Sequence, residues 1–374
     1  MSVGDTDRRF MAAAIRLARR NLGLTSTNPS VGTLIVRDDG AGPRIVGRGI
    51  TAIGGRPHAE AEALAEAGDR ARGATAYVTL EPCAHHGRTP PCAEALVRAG
   101  IARVVGAAAD PDPRVSGKGY AILEAGEIDV ATGVLANGAS DMLSGYLTRS
   151  VKKRPEVTLK LAVSSDGMIG CKGEGQVAIT GPVSRRQVHR IRAESDAILV
   201  GIGTAQADDP ELTCRLPGLE RRSPIRIILD RDARLSPTSK LAASARDTPV
   251  LLATAIDADP GRRATLEGLG VGFIACEEHE GRIALPEFLE DLAARGVLTL
   301  LVEGGAETAR HFLAEGLVDR LVLFVGLQAI GDGGIASPVD PAAIPNGFRL
   351  LRRDVFGADV CFEYVRTDGC SLES

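Results

Sequence analysis

Four side chains between residues 57 and 92 restrict the fold of this chain more than any other feature. PHAEAEAL (57–64) is followed by YVTLEPCAHHGRTPPCAEAL (77–96). His58, Cys83 and Cys92 are soft metal ligands, and Glu60 stands two positions beyond the histidine. A hydrolytic zinc centre needs three protein ligands and an open fourth position for water. It also needs an acid/base that is not itself a ligand, to move the water's protons. The chain must therefore return twice to one point, each time at the end of a rigid element.

Local patterns supply those elements. His58 opens the apolar run Ala59, Ala61, Ala63 and Leu64, which predicts a helix with His58 in its first turn. Glu60 then leaves that helix at a different angle and faces the metal's water. Thr75–Leu80 predicts a strand from its β-branched and aromatic content. Pro82 stops it, and Cys83 falls just past its C-terminal end. Cys92 opens a helical run over Ala93–Ala99, where the dipole and free N–H groups favour a thiolate. H-x-E followed by P-C and a second cysteine is the pattern of zinc deaminases, in which the glutamate shuttles protons. Here AHHGRTPP separates the cysteines. His85 or His86 in that loop offers the alternative of a closed structural zinc, although H-A-E ahead of E-P-C is not how closed zinc ribbons are spaced.

P-H-A-E, Y-V-T-L-E-P-C-x-H-H-G-R-T-P-P-C and D-P-D-P-x-V-x-G-x-G together resemble the bifunctional riboflavin-biosynthesis deaminase–reductases. The resemblance implies a cytidine-deaminase-like α/β/α fold for the first domain. It makes His58, Cys83 and Cys92 the zinc ligands, Glu60 the catalytic acid/base, and Asn28, His85 and Arg88 substrate contacts. It also places D-P-D-P beside the substrate.

Length, 374 residues, points to two domains. A net charge of −4 provides no basic field for nucleic acid. Seven cysteines without paired spacings are no disulfide framework. The N-terminal residues have no apolar signal region and no run reaches membrane-spanning length, so the expected compartment is the cytoplasm. The basic run Ser150–Pro155 reads as a solvated link, giving domains 1–150 and 151–374.

Within the first domain the patterns predict a helix over 6–21, strands over 31–36, 44–51, 102–108 and 128–130, and helices over 119–126 and 137–149. The second predicts strands at 157–163, 197–200, 225–229, 250–253, 272–274, 298–302 and 320–325, with helices at 183–194, 286–295 and 306–315. That is an α/β domain with a largely parallel sheet. No G-x-G-x-x-G follows a strand. LLVEGGAETARHF (300–312) instead sets two glycines before a helix start, whose free N–H groups suit a phosphate.

V-E-G-G, L-K-L-A-x-S-x-D-G, A-I-L-V-G-x-G-T and A-D-D-P-x-L-T-x-R resemble the reductase half of the same family, which is similar to dihydrofolate reductase. The resemblance implies NADPH contacts at Ala162, Thr204, Asp208, Arg231, Gly305, Ala306, Glu307, Thr308, Ala309, Arg310 and His311. It implies reductase-substrate contacts at Arg192, Leu212, Arg215, Glu303 and Gln176. Arg192 and Arg215 match a sugar phosphate, because the guanidinium fork fits phosphate oxygens. The implied chemistry is hydrolytic deamination of 2,5-diamino-6-(5-phosphoribosylamino)pyrimidin-4-one, then NADPH-dependent reduction of the ribosyl group to ribityl. The implied partners are this small molecule and a second copy of the chain through the reductase domain, with no nucleic acid or membrane. Two positions depart from the family pattern: Ala178 where tryptophan is common, and Thr51 where histidine is common. A zinc deaminase of another base with a non-reducing second domain, and a zinc-stabilised binding module, are the competing readings.

Overall fold

The structure, a computed structural model, describes residues 4–86 and 90–367. Arg88 and Cys370 lie outside the described residues. The chain divides into two compact units that meet in sequence between Lys153 and Arg154.

The first unit contains, in order, α1 (Asp5–Ala18), β1 (Gly32–Arg37), β2 (Arg44–Ile50), α2 (Ala59–Ala67), β3 (Thr75–Leu80), α3 (Cys92–Arg98), β4 (Arg103–Ala108), α4 (Lys118–Ala125), β5 (Asp129–Ala131), α5 (Ala136–Met142) and α6 (Ser144–Lys152). Its sheet runs β2-β1-β3-β4-β5. β1 is antiparallel to both neighbours, while β3, β4 and β5 are parallel. Gly49 pairs with Thr33, the residue after Gly32, so Gly32 and Gly49 point to opposite faces. An added Cβ on Gly32 would meet the Ala14 carbonyl of α1, and one on Gly49 would lie 1.8 Å from the Ala59 carbonyl of α2. The two helices thus cover opposite faces at backbone distance, which makes the expected α/β/α layer.

Three sequence expectations change here. His58 is the N-cap of α2 rather than a first-turn residue. The helix expected over 137–149 is two helices that meet at Leu143, whose φ −94° and ψ 6° bend the backbone although its N–H still donates to the Ala139 carbonyl and its carbonyl accepts the Leu147 N–H. That turn buries Leu143 together with Met142 and Leu147. Finally, the basic run at 150–155 is a solvated link only in part: Val151 and Lys153 are exposed, while Arg154 and Pro155 are buried. Ser150–Lys152 end α6, and Arg154 is buried against Asp319 at 2.5 and 2.8 Å.

The second unit contains β6 (Glu156–Val163), β7 (Met168–Cys171), α7 (Pro182–Glu194), β8 (Ala197–Gly201), α8 (Ile202–Asp208), β9 (Ile225–Leu229), α9 (Lys240–Ala243), β10 (Val250–Ala255), α10 (Pro260–Gly268), β11 (Gly272–Cys276), β12 (Glu278–His279), β13 (Arg282–Ile283), α11 (Leu285–Ala294), β14 (Thr299–Val302), α12 (Ala306–Ala314), β15 (Arg320–Val325), β16 (Gly334–Ala336), β17 (Phe348–Phe356) and β18 (Asp359–Arg366). Its main sheet runs β11-β10-β9-β8-β14-β6-β15-β18-β17. The first seven strands are parallel, and the expectation of a largely parallel sheet holds. The antiparallel hairpin β17–β18 extends it. β6, β8 and β14 sit centrally; β8 and β14 are nearly continuous apolar runs, as strands covered on both faces are, whereas β6 alternates apolar residues with Glu156, Thr158 and Lys160.

Candidate active sites

In the first unit, the ends of three elements converge. β3 delivers Cys83 just beyond its C-terminal end, α3 begins at Cys92, and α2 is capped by His58. One ligand atom from each lies within 4.8 Å of the others, and no further histidine, cysteine or carboxylate joins the group among the described residues. His58 Nδ1 lies 3.4 Å from the Cys92 sulfur and 3.7 Å from the Cys83 sulfur. The Cys92 N–H donates to the Cys83 sulfur at 3.2 Å.

The electrostatics ask for a cation. The hydrogen bond from Cys92 pulls the Cys83 thiol down to about 4, and the same contact pushes the Cys92 thiol far above its ordinary range. Two thiolates this close do not coexist without positive charge between them. Two sulfurs and one imidazole nitrogen are the donor set of a three-ligand zinc site with a free fourth position. The residues present fit zinc.

Glu60, in the first turn of α2, is buried. Burial first, and the neighbouring Cys83 thiolate second, raise its carboxyl to about 7. A carboxyl poised there gives up and takes back a proton at neutral pH. The ring Nδ1 of His85 is buried and has no hydrogen-bond partner among the described residues. Asn28 is partly buried, with Gly55 packed over its side-chain amide. The Thr51 hydroxyl accepts the Val31 N–H at 2.9 Å, so this departure from the family pattern serves the start of β1.

Two buried acids nearby in sequence complete the surroundings: Glu81, which sequence reasoning missed, and Asp110, which it placed beside the substrate within D-P-D-P without a partner. Glu81 accepts two backbone N–H groups at the start of α4. Asp110 accepts the Tyr146 hydroxyl on both oxygens, at 3.0 and 3.1 Å, and burial raises it to about 6. Their only sequence signal was an acid inside a quoted motif.

The second unit holds a cavity of about 1020 Å³. It gathers Ala162, Gln176, Thr204, Asp208, Arg231, Glu303, Gly305, Ala306, Glu307, Thr308, Arg310 and His311 from distant parts of the chain. The Thr204 hydroxyl accepts the Gly305 N–H at 2.9 Å, fixing α8 to the start of α12. Arg231 stands at the rim, paired with Glu278 and Asp232. A second cavity of about 500 Å³, lined in part by Gln176, Ala178 and Ile179, occupies the space beside the small Ala178 side chain.

Four expected contacts do not line the larger cavity. Ala309 is fully buried on the core face of α12. Leu212 is buried in the core and takes φ +56°. Arg215 is exposed and paired with Glu211 at 2.7 Å. Arg192 is buried, with Nε and Nη2 on Glu303 at 2.7 and 3.1 Å and Nη1 on the Thr213 carbonyl at 3.1 Å. Its fork is occupied by protein, so the expectation of a phosphate clamp is corrected to one of holding Glu303. Lys160 joins the same carboxylate at 3.4 Å. Burial would raise the Glu303 carboxyl, but Arg192 and Lys160 outweigh it and hold the group down at about 2. Lys160 was missed, although a lone cation in the apolar strand VTLKLAV was its signal.

Residues 5–108 match the family described as the cytidine and deoxycytidylate deaminase zinc-binding region, and residues 155–362 match the RibD C-terminal domain. The riboflavin biosynthesis protein RibD of Aquifex aeolicus is 35% identical over 97% of this chain and 99% of its own length. That of Escherichia coli is 37% identical over 96% and 99%. Among solved structures, Acinetobacter baumannii RibD in form 1 has a TM-score of 0.83 at 37% identity, covering 96% of this chain and 99% of that one. A diaminohydroxyphosphoribosylaminopyrimidine deaminase/5-amino-6-(5-phosphoribosylamino)uracil reductase from Thermotoga maritima gives 0.83 at 32% identity, covering 96% and 98%.

Proposed function

The chain belongs to the RibD family of bifunctional deaminase–reductases, and from that premise we propose how its residues divide the work. The unit ending near residue 150 deaminates 2,5-diamino-6-(5-phosphoribosylamino)pyrimidin-4-one by hydrolysis. The unit that follows reduces the ribosyl group of the product to ribityl.

In the first reaction His58, Cys83 and Cys92 hold zinc, which when bound lowers the pKa of water from ~16 toward ~7. Glu60 accepts the proton released as water adds to the ring carbon bearing the 2-amino group. It passes that proton to the ring nitrogen and then serves the departing ammonia. Asn28, His85 and Arg88 are the candidates for holding the substrate. The observation that carries this reading is the buried Glu60 carboxyl in the first turn of α2, beside a His–Cys–Cys group whose ligand atoms lie within 4.8 Å of one another.

In the second reaction NADPH supplies a hydride to the ribosyl C1′. The loop before α12 offers backbone N–H groups to its phosphates, and Arg231 at the rim suits the 2′-phosphate once it exchanges its acidic partners. Glu303, kept ionised by Arg192 and Lys160, receives the sugar hydroxyls as an acceptor, and Arg215, exposed and outside the cavity lining, takes the substrate phosphate once it leaves Glu211. No helix among the described residues is long and apolar enough to cross a membrane. Exposed Leu350, Leu351 and Val355 on the edge strand β17 support pairing of two reductase units; sedimentation at micromolar concentration tests it, and a monomer would refute it.

Metal analysis combined with ammonia-release and NADPH-oxidation assays on the pyrimidine nucleotide tests the whole reading. One zinc per chain and both activities are expected. Zinc without ammonia release would leave a structural metal site, and ammonia release without NADPH oxidation would leave a deaminase alone.

A further inference from the structure

We propose that Glu81 is a positioning residue of the metal centre: its buried carboxylate, held by the N–H groups of Gly117 and Gly119, fixes where the Cys83 sulfur lies. The inference rests on the assignment of His58, Cys83 and Cys92 as metal ligands.

β3 ends at Leu80, and its backbone pairing with β4 stops at the bond from the Glu81 N–H to the Ala108 carbonyl, 3.0 Å. Pro82 has no N–H to anchor the next step. Cys83 is tied on its far side, its carbonyl accepting the Ala93 N–H at 3.2 Å and its sulfur the Cys92 N–H at 3.2 Å; on the strand side the Glu81 side chain is the handle. Its Oε2 accepts the Gly117 N–H at 3.1 Å and its Oε1 accepts the Gly119 N–H at 3.0 Å. Both oxygens are used, and the group is only 4% exposed. Gly117 caps α4 with φ +74°, a conformation that favours glycine. Gly119 lies directly on the turn, where an added Cβ would come 2.0 Å from the Pro82 carbonyl oxygen. The upstream part of D-P-D-P-x-V-x-G-x-G shapes this cradle: the Asp112 N–H bonds Asp110 Oδ1 at 2.9 Å, and the Val115 N–H bonds the Asp112 carbonyl at 2.8 Å. The motif's glycines therefore clamp the Glu-Pro-Cys turn from behind. Partners of this kind set the orientation of a ligand, and their loss costs about 10–100-fold in metal affinity.

Glu81→Gln tests this directly, because an amide nitrogen cannot accept the second N–H. Cobalt(II) is the probe, titrated into the metal-stripped full-length chain and read by its thiolate charge-transfer and d–d absorption. The wild type should bind one ion. The variant should bind about 10–100-fold more weakly with shifted d–d bands, while NADPH oxidation on the deaminated substrate stays at the wild-type rate. Gly119→Ala should move both readouts the same way, and it decides the matter if Glu81→Gln does not fold. Unchanged affinity and spectrum in a folded variant would overturn the role of Glu81. A wild-type chain that takes up no cobalt would instead overturn the metal assignment beneath it.

Discussion

At Glu60, burial and a thiolate neighbour act in the same direction, and the acid ends near neutrality. Glu60→Gln keeps the shape and removes the proton acceptor. Ammonia release should fall about 10²–10⁴-fold, with one zinc still present by elemental analysis; retained turnover would take Glu60 out of the reaction. The two arginines once expected to share a task now separate. Arg215→Ala should chiefly raise the KM for the nucleotide and leave stability within about 0.5 kcal/mol, since its ion pair is exposed. Arg192→Met should instead destabilise by about 3 kcal/mol, because it leaves the buried Glu303 charge to Lys160 alone; urea unfolding reads the difference. Glu303 also predicts a pH dependence. Its carboxyl is depressed from 4.5 to about 2 in the fold, so its contribution is full above 4.5 and fades as pH falls toward 2. The stability gap between wild type and Glu303→Gln should be on the order of 3 kcal/mol at pH 7 and shrink at pH 3. Ligand chemistry was legible in the sequence because metal donors are few residue types at telling spacings. The roles of Arg192 and Glu81 were not, since an arginine's partner and an acid's burial depend on residues a hundred or a few dozen positions away.

Elements carry the site by how closely they approach. α2 brings His58 to the cysteines only because β2 presents Gly49, whose missing side chain lets the Ala59 backbone sit on the sheet. Gly49→Ala should therefore push α2 outward, cost about 1–3 kcal/mol and weaken metal retention against a chelator. Gly138→Ala is the control: it lies within α5 with nothing nearer than 3.8 Å, and should be neutral or stabilising by up to about 1 kcal/mol. Equal losses in both would mean close approach is not what matters at Gly49. The parallel strands were readable because burial on both faces leaves long apolar runs in β8, β14 and β15. β17 was not, because an edge strand carrying Arg349, Arg352 and Arg353 shows neither an apolar run nor clean alternation. The break at Leu143 was hidden for a related reason: Met142, Leu143 and Leu147 satisfy a helical period whether or not the backbone turns between them.

On the scale of the whole molecule, chain length and the change of motif near residue 150 announced two units. Charge alone made the whole basic run look solvated, and its last residues are not. Arg154 instead belongs to the second unit, where its guanidinium reaches Asp319 at 2.5 and 2.8 Å and the carboxylate also takes the Val157 N–H at 2.9 Å. Both side chains are about one-tenth exposed, so the pair has little water to replace a missing partner. This sets where the reductase can be cut free. A fragment beginning at Arg154 keeps the pair and the core of β6, β8, β14 and β15, and should oxidise NADPH with the deaminated intermediate. A fragment beginning at Glu156, two residues shorter, removes the Arg154 guanidinium from Asp319, which keeps the Val157 N–H and its other contacts. It should unfold in urea with about 1–3 kcal/mol less stability and lose NADPH oxidation at lower denaturant. Equal midpoints for the two would place the seam later than Arg154, and an inactive but folded longer fragment would mean the reductase depends on the unit before it.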